Sequence, residues 1–514
     1  MRKRKAFQLI YTSDIHGKLF PLDYGTGKKK DCGLLSMASR IKRDGNTLVL
    51  DGGDNLQGSP LLQYFLEHRK DFSFHPLAEA FGAMGLQYFT IGNHDFNFGY
   101  EVLRDYLQSM RARCLCANLS DLRGELPLRR TAVHRLENGL TIGLCGIVTD
   151  YVNVWESPEH LSGIKITDAL TAAKRCYEEL RGNCGISICI YHGGYEEELS
   201  SGRKLTDSRE NIACEIAREC GFDILLTGHQ HMAVEGRRLF RSFTAQPPAN
   251  AERYLLFEGE LETGRGERHL SLSGKLLPSG NVPSEAAAKK LSALEERTER
   301  WLEQPIGRLP ERIGPEEKLK TARYGSRIAA LINAVQLAES GADFSCTGLS
   351  NEEAYLGPEI SIRDIYRIYP FSNSMVVKEV DRKSLKEALE RCASYFTLDE
   401  EGQPAISGEF LEPKIEHYNY DFYAGLDYAF DLRRPIGERV AWLRRLSGEE
   451  LSEDRSYRLV MSNYRASGTG GYEMLAACRT LSESQDNTQD LLIASIRGRE
   501  ELSPPDNFRF RLLF

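Results

Sequence analysis

No uncharged apolar run in this chain approaches the roughly 18 residues needed to cross a bilayer, which rules out a transmembrane span. Net positive charge is also missing. Lys+Arg 66 against Asp+Glu 74 leaves −8, which argues against wrapping polymeric nucleic acid or docking on an anionic membrane. The opening Met1-Arg2-Lys3-Arg4-Lys5 is not followed by the roughly 7–15 apolar residues of a secretory leader. Instead Ala6–Tyr11 is interrupted by Gln8 and soon reaches Asp14, as a strand would. None of the 12 cysteines forms a C-x-x-C pair, and Cys114 with Cys116 makes the single C-x-C. Several, such as Cys145 and Cys189, sit in apolar strand-like runs. This usage points to buried reduced thiols and a cytoplasmic location.

What is present suits a multidomain globular protein. The 514 residues are 41% hydrophobic and 27% charged, enough to fill the cores of about two to four domains. From residue 7 to about 240, short β-branched and aromatic runs alternate with helical periodicity. The strand candidates are Phe7–Thr12, Thr47–Leu50, Tyr88–Ile91, Thr141–Ile147, Ile186–Tyr191 and Ile224–Leu226, with helices such as Leu34–Arg43 and Ala169–Leu180 between them. The pattern predicts a layered α/β domain over residues 1–275, closed by two strands around the turn at 263–266. Residues 276–320 read as a linker carrying a polar helix over 284–304, with Ser284 as N-cap, Trp301 and Leu302 as apolar anchors and Pro305 beyond its end. A second, smaller mixed α/β domain follows over 321–514, with helices Arg323–Glu339 and Arg382–Tyr395 and strands Ser374–Val380, Tyr428–Asp431 and Arg458–Ser462.

Five polar motifs each follow a predicted strand of the first domain: Ser13-Asp14-Ile15-His16-Gly17, Gly53-Asp54, Gly92-Asn93-His94-Asp95, Tyr191-His192-Gly193-Gly194 and Gly228-His229-Gln230-His231. Strand carboxyl ends in layered α/β folds open onto one crevice, so residues far apart in sequence can converge there. Asp, His and Asn offer oxygen and nitrogen ligands, and the flanking glycines permit close backbone approach. Singly each motif is an ordinary turn; five in this order are not.

The series resembles the calcineurin-like metallophosphoesterase signature. More narrowly it is similar to the two-domain 5′-nucleotidase and 2′,3′-cyclic-nucleotide 2′-phosphodiesterase/3′-nucleotidase family, through Asp51–Pro60, Gly92–Gly99 and on into the second domain. The resemblance implies an αββα metallophosphoesterase domain followed by a nucleotidase substrate-binding domain. It implies two divalent cations, one among Asp14, His16, Asp54 and His231 and the other among Asp54, Asn93, His192 and His229, with Asp54 bridging. Such a donor set favours Mn, Zn, Co or Fe over Mg or Ca. A cation pair about 3.5–4 Å apart can clamp phosphate oxygens and acidify water. His94 is then no ligand but a general acid or transition-state stabiliser. The residue three positions later is usually Asp in 5′-nucleotidases and commonly Asn in the cyclic-phosphodiesterase branch; here it is Asn97, whose alternative role is to cap the Phe98-Gly99 turn.

Two aromatic-bearing segments resemble the base-binding motifs of the cyclic-phosphodiesterase branch, and they place Tyr418 and Tyr464 on either side of a base. Asn373, in Tyr369-Pro370-Phe371-Ser372-Asn373, matches a base contact. The N-G-G-x-R element of the 5′-nucleotidase branch is absent from residues 346–352. The resemblance further implies an active site between the domains and a domain rotation. These features together predict a nucleotide phosphoesterase that opens 2′,3′-cyclic nucleotides to 3′-nucleotides and releases phosphate from the latter. The alternatives are a 5′-nucleotidase or nucleotide-sugar hydrolase, a non-catalytic nucleotide-binding sensor, and a sulfur-ester hydrolase.

Overall fold

The computed structural model describes residues 3–205, 209–264, 267–371, 373–412, 415–497, 499 and 501–514, the side chain of Gln485 excepted. Half of the expected turn at 263–266 and Ser372 of the 369–373 motif therefore lie outside the described residues. The chain divides into two compact units, Met1–Asp23 with Gly27–Glu299, and Tyr24–Thr26 with Arg300–Phe514.

Two sheets form the heart of the first unit. One has seven strands, in the order Glu267–Pro278, Arg253–Gly264, Lys3–Thr12, Thr47–Asp51, Tyr88–Phe89, Arg113–Leu115 and Leu128–Arg129. The other has six, in the order Val234–Leu239, Ser242–Gln246, Ile224–Thr227, Ile186–His192, Thr141–Val148 and Thr131–Arg135. Alternation along the strands explains the layering. Phe7, Leu9 and Tyr11 of the first sheet share one core with Ile142, Leu144, Ile186, Ile188, Ile190, Ile224 and Leu226 of the second. The intervening Cys145, Ile147, Cys189, Tyr191 and Leu225 point outward to pack on Ala169–Leu180 and Ala213–Glu219. Asp168 starts the former helix by accepting the Thr171 N–H at 2.7 Å.

The strands that matter for chemistry are parallel: Lys3–Thr12 with Thr47–Asp51 and then Tyr88–Phe89 in one sheet, and Thr141–Val148, Ile186–His192 and Ile224–Thr227 in the other. Every polar motif singled out in the sequence thus leaves a strand at its carboxyl end.

The second unit holds a five-stranded sheet in the order Asp421–Ala424, Phe344–Gly348, Tyr457–Ser462, Ser374–Val380 and Arg479–Asn487. A buried cluster including Phe344, Leu389, Phe396, Tyr428 and Leu459 packs beside it. The helix expected over Arg323–Glu339 is two helices, Lys318–Tyr324 and Arg327–Ser340. The break is Gly325, whose φ of 93° suits glycine and where a Cβ would come within 2.2 Å of the Phe508 ring. Ser326 then caps the new helix through the Ala329 N–H. Other expected elements end early: Leu34–Arg43 at Arg40, Arg382–Tyr395 at Ala393 and Tyr88–Ile91 at Phe89. Among the described residues no helix is long and apolar enough to cross a membrane. All 12 cysteines are unpaired, and only Cys184 and Cys478 are not buried.

Candidate metal centre

The loops at the strand ends are held in costly conformations. Asp14, His16, Asp54, His229 and His231 all have positive φ, between 50° and 70°. Left-handed backbone costs a residue with a Cβ about 1–2 kcal/mol each, and such strain concentrates where the surroundings over-determine a functional geometry. The determinants are visible. Asp14 N–H donates to the Gly53 carbonyl at 2.9 Å and His16 N–H to the Asp54 carbonyl at 3.0 Å. His229 N–H donates to Asp14 Oδ1 at 3.0 Å. The buried carboxylate of Asp95 accepts the N–H groups of Asp54, Asn55, Leu56 and Gly92 at 2.8–3.0 Å, tying two loops together. Gly92 must be glycine, because a Cβ there would sit 2.0 Å from Asp54 Oδ1.

Two groups of side chains converge: Asp14, His16 and His231, and Asp54, His192 and His229, each with ligand atoms within 4.8 Å of one another. Asn93 joins the second, its Oδ1 lying 3.1 Å from His192 Nε2 and 2.9 Å from His229 Nδ1. Three imidazoles are tied off on their outer side. His16 Nδ1–H donates to the Gln57 carbonyl at 3.0 Å, His192 Nδ1–H to the Gly52 carbonyl at 2.7 Å, and His229 Nε2–H to Glu210 Oε1 at 2.9 Å. Their inner nitrogens therefore present lone pairs, in the neutral form, to further acceptors. His192 Nε2 faces both Asn93 Oδ1 and Asp54 Oδ2, the latter at 3.2 Å. His16 Nε2 faces His231 Nε2 at 3.1 Å. Asp54 Oδ2 is buried and makes no hydrogen bond. Oxygen and imidazole donors facing one another this closely need a positive charge between them, a proton or a cation, and a divalent cation fits this donor chemistry at both groups.

The electrostatics carry the same mark. Burial alone would push the Asp54 carboxyl up, but His192, His94 and His16 outweigh it and hold the group well below the usual carboxylate range. Burial pulls His192 down, yet Asp54 beside it raises it to about 10. His231 and His94 are pulled by burial down to about 4, against the carboxylates of Asp14 and Asp54 respectively. His94 Nδ1 accepts from Asn97 Nδ2 at 3.0 Å, which leaves the proton of the neutral ring on Nε2.

Residues 7–233 match the model of the calcineurin-like phosphoesterases, and residues 305–477 match that of the 5′-nucleotidase C-terminal domain. The chain belongs to the two-domain calcineurin-like metallophosphoesterases of the 5′-nucleotidase type. It is 23% identical to the 2′,3′-cyclic-nucleotide 2′-phosphodiesterase/3′-nucleotidase of Haemophilus influenzae, covering 96% of this chain and 85% of that one. It is 22% identical to the trifunctional nucleotide phosphoesterase protein YfkN of Bacillus subtilis over 96% of this chain, but spans only 38% of that longer protein. Among solved structures, a Staphylococcus aureus protein described as a candidate 5′-nucleotidase in complex with alpha-ketoglutarate superposes with a TM-score of 0.70 at 28% identity, covering 99% of this chain and 100% of that one. The phosphoesterase domain thus carries the two candidate metal-binding groups, and the nucleotidase domain the remaining candidate residues.

In that second domain Tyr418 and Tyr464 lie at one end of the five-stranded sheet, with ring centroids 6.3 Å apart and planes inclined by 75°. The rings meet edge to face, so stacking a base between them requires one ring to turn. Arg465 fixes the spacing of their backbones. It forms a buried two-pronged pair with Asp421, Nε to Oδ2 at 2.6 Å and Nη2 to Oδ1 at 2.9 Å, and also donates to the carbonyls of Tyr418 and Thr469. Asn373 immediately precedes the strand Ser374–Val380, its carbonyl accepting the Thr488 N–H at 2.9 Å. Sequence reasoning missed the Asp95 clamp, Glu210 and the ion pair Asp421–Arg465. Asp95 stood inside a quoted motif, whereas Glu210 belongs to none.

Proposed function

We propose that the protein hydrolyses nucleotide phosphoesters, with 2′,3′-cyclic nucleotides and 3′-nucleotides as preferred substrates. The convergence of imidazole nitrogens and carboxylate oxygens around Asp54 is the observation that carries this reading. Asp14, His16, Asp54 and His231 would hold one cation, and Asp54, Asn93, His192 and His229 the other, with Mn, Zn, Co or Fe suited to the donors. Such ions, when bound, supply Lewis acidity and lower the pKa of water. His94 acts as a neutral donor: its Nε2–H, fixed by the Asn97 contact at Nδ1, gives a hydrogen bond to a phosphoryl oxygen or to the leaving-group oxygen and stabilises charge there in the transition state. Tyr418 and Tyr464 stack on the base, and Asn373 contacts its edge.

Two departures from the 5′-nucleotidase pattern favour the cyclic branch, Asn97 and the missing N-G-G-x-R element. The Haemophilus influenzae relative is named for that activity. A 5′-nucleotidase is the second reading, favoured by the description of the Staphylococcus aureus structure. The intact, converging donor set speaks against a non-catalytic sensor. Unpaired thiols, most of them buried, support a cytoplasmic location. Assays with Mn and 2′,3′-cyclic AMP, 3′-AMP, 5′-AMP and p-nitrophenyl phosphate test the reading. The cyclic and 3′ substrates should be turned over faster than 5′-AMP, and no turnover of any of the four would refute the proposal.

A further inference from the structure

Glu210 lies in the stretch between His192 and the helix Ala213–Glu219, outside the five polar motifs. Its placement is nonetheless specific. The Glu210 carbonyl accepts from Thr149 Oγ1 at 2.8 Å and from Tyr191 Oη at 3.2 Å, so the residue is pinned to the ends of two parallel strands of the six-stranded sheet. The next residue, Asn211, accepts the Gly194 N–H at 2.6 Å, fastening the same stretch to the loop that follows His192. From this anchored position the Glu210 carboxylate meets His229 Nε2 at 2.9 Å, while the opposite ring nitrogen, Nδ1, faces Asn93 Oδ1 at 2.9 Å. Trp155 lies over the same imidazole, centroids 5.5 Å apart and planes within 25° of parallel. Three contacts thus fix His229: Asp14 holds its backbone N–H, Trp155 its plane and Glu210 its rotation and tautomer.

His16 and His192 are oriented by backbone carbonyls, which any residue at those positions supplies. His229 differs, because its outer nitrogen is held by a side chain. A carboxylate behind a ligating imidazole fixes the tautomer and makes the facing nitrogen more basic. We propose that Glu210 is a positioning residue for the second metal group: its carboxylate holds the His229 proton on Nε2, so that Nδ1 is the nitrogen offered to the cation shared with Asp54, Asn93 and His192. The inference rests on the metal-centre reading above and goes beyond it, since it makes the two groups unequal in what sustains them.

The test uses the full chain stripped of metal and titrated with Mn by calorimetry, for wild type, Glu210→Ala and Glu210→Gln, with thermal melting of each metal-free protein alongside. Glu210→Ala should weaken one of the two Mn sites about 10–100-fold while the other site and the metal-free melting midpoint stay at wild-type values. Glu210→Gln keeps an oxygen that accepts from Nε2–H and should recover most of that loss. Wild-type affinity at both sites in Glu210→Ala would overturn the inference. So would equal weakening of both sites with a lowered melting midpoint, since that marks a scaffolding role. Wild-type protein that binds no Mn would instead overturn the metal-centre reading itself, and the inference with it.

Discussion

Replacing Asp95 by asparagine probes what holds the strained loops in place. In the native protein its two oxygens each accept two backbone N–H groups, Oδ1 those of Asn55 and Leu56, and Oδ2 those of Asp54 and Gly92. Asparagine keeps one oxygen and turns an NH2 group toward the other two donors. Two charge-assisted bonds worth about 1.5–3 kcal/mol each are lost, a gross penalty of about 3–6 kcal/mol. Burying a neutral amide costs less than burying a carboxylate, which leaves a net loss of about 2–4 kcal/mol. The assay is urea denaturation followed by Trp155 fluorescence in a Trp301→Phe, Trp442→Phe background, since these are the 3 tryptophans of the chain and only Trp155 belongs to the first unit. A loss smaller than about 0.5 kcal/mol, the range of an ordinary surface substitution, would refute the argument.

His75 is buried, its Nδ1 lacks a hydrogen bond, and burial pulls its pKa down to about 3. The unfolded chain binds that proton below about 6.5 and the folded one does not until about 3, so stability is lost as pH drops through this window, approaching about 1.4 kcal/mol per pH unit. His75→Gln should remove that slope from the first unit's urea midpoint between pH 6 and 4.5 (about the middle of the window), and an unchanged slope would contradict the assignment. Asp421→Asn strands the Arg465 guanidinium, which is 3% exposed against 2% for its partner. It should cost the second unit about 3–5 kcal/mol, read by Trp442 fluorescence. Alanine at Tyr418 or Tyr464 should raise KM for a nucleotide substrate by about 1–3 kcal/mol, roughly five- to 150-fold, with kcat little changed. Equal KM values would remove both residues from base binding.

Much of the first domain could be read from the sequence because its strands are short apolar runs that end in polar motifs, and because alternation along Phe7, Leu9 and Tyr11 fixes which face meets the second sheet. The ligand candidates were readable for the same reason: a strand end followed by glycine and a His or Asp is a local signal. What holds them was not readable. The carbonyls of Gly52 and Gln57 have no side-chain signature, and the Asp95 clamp depends on two loops meeting 40 residues apart. Glu210 lies 19 residues from His229 in sequence and touches it through the fold alone. The split at Gly325 was hidden by continuous helical periodicity on both sides, and its reason, the Phe508 ring, lies far along the chain. The inclination of Tyr418 to Tyr464 is a rotamer fact that motif spacing does not encode.

The central claim is that Asp54 bridges two cations caged by loops from two sheets. Anomalous scattering from Mn-soaked crystals tests it most directly. The account predicts two peaks, one among Asp14, His16, Asp54 and His231 and one among Asp54, Asn93, His192 and His229, both lost in Asp54→Ala. Mn-soaked crystals with no peak at Asp54, or an Asp54→Ala protein that keeps both, would contradict it.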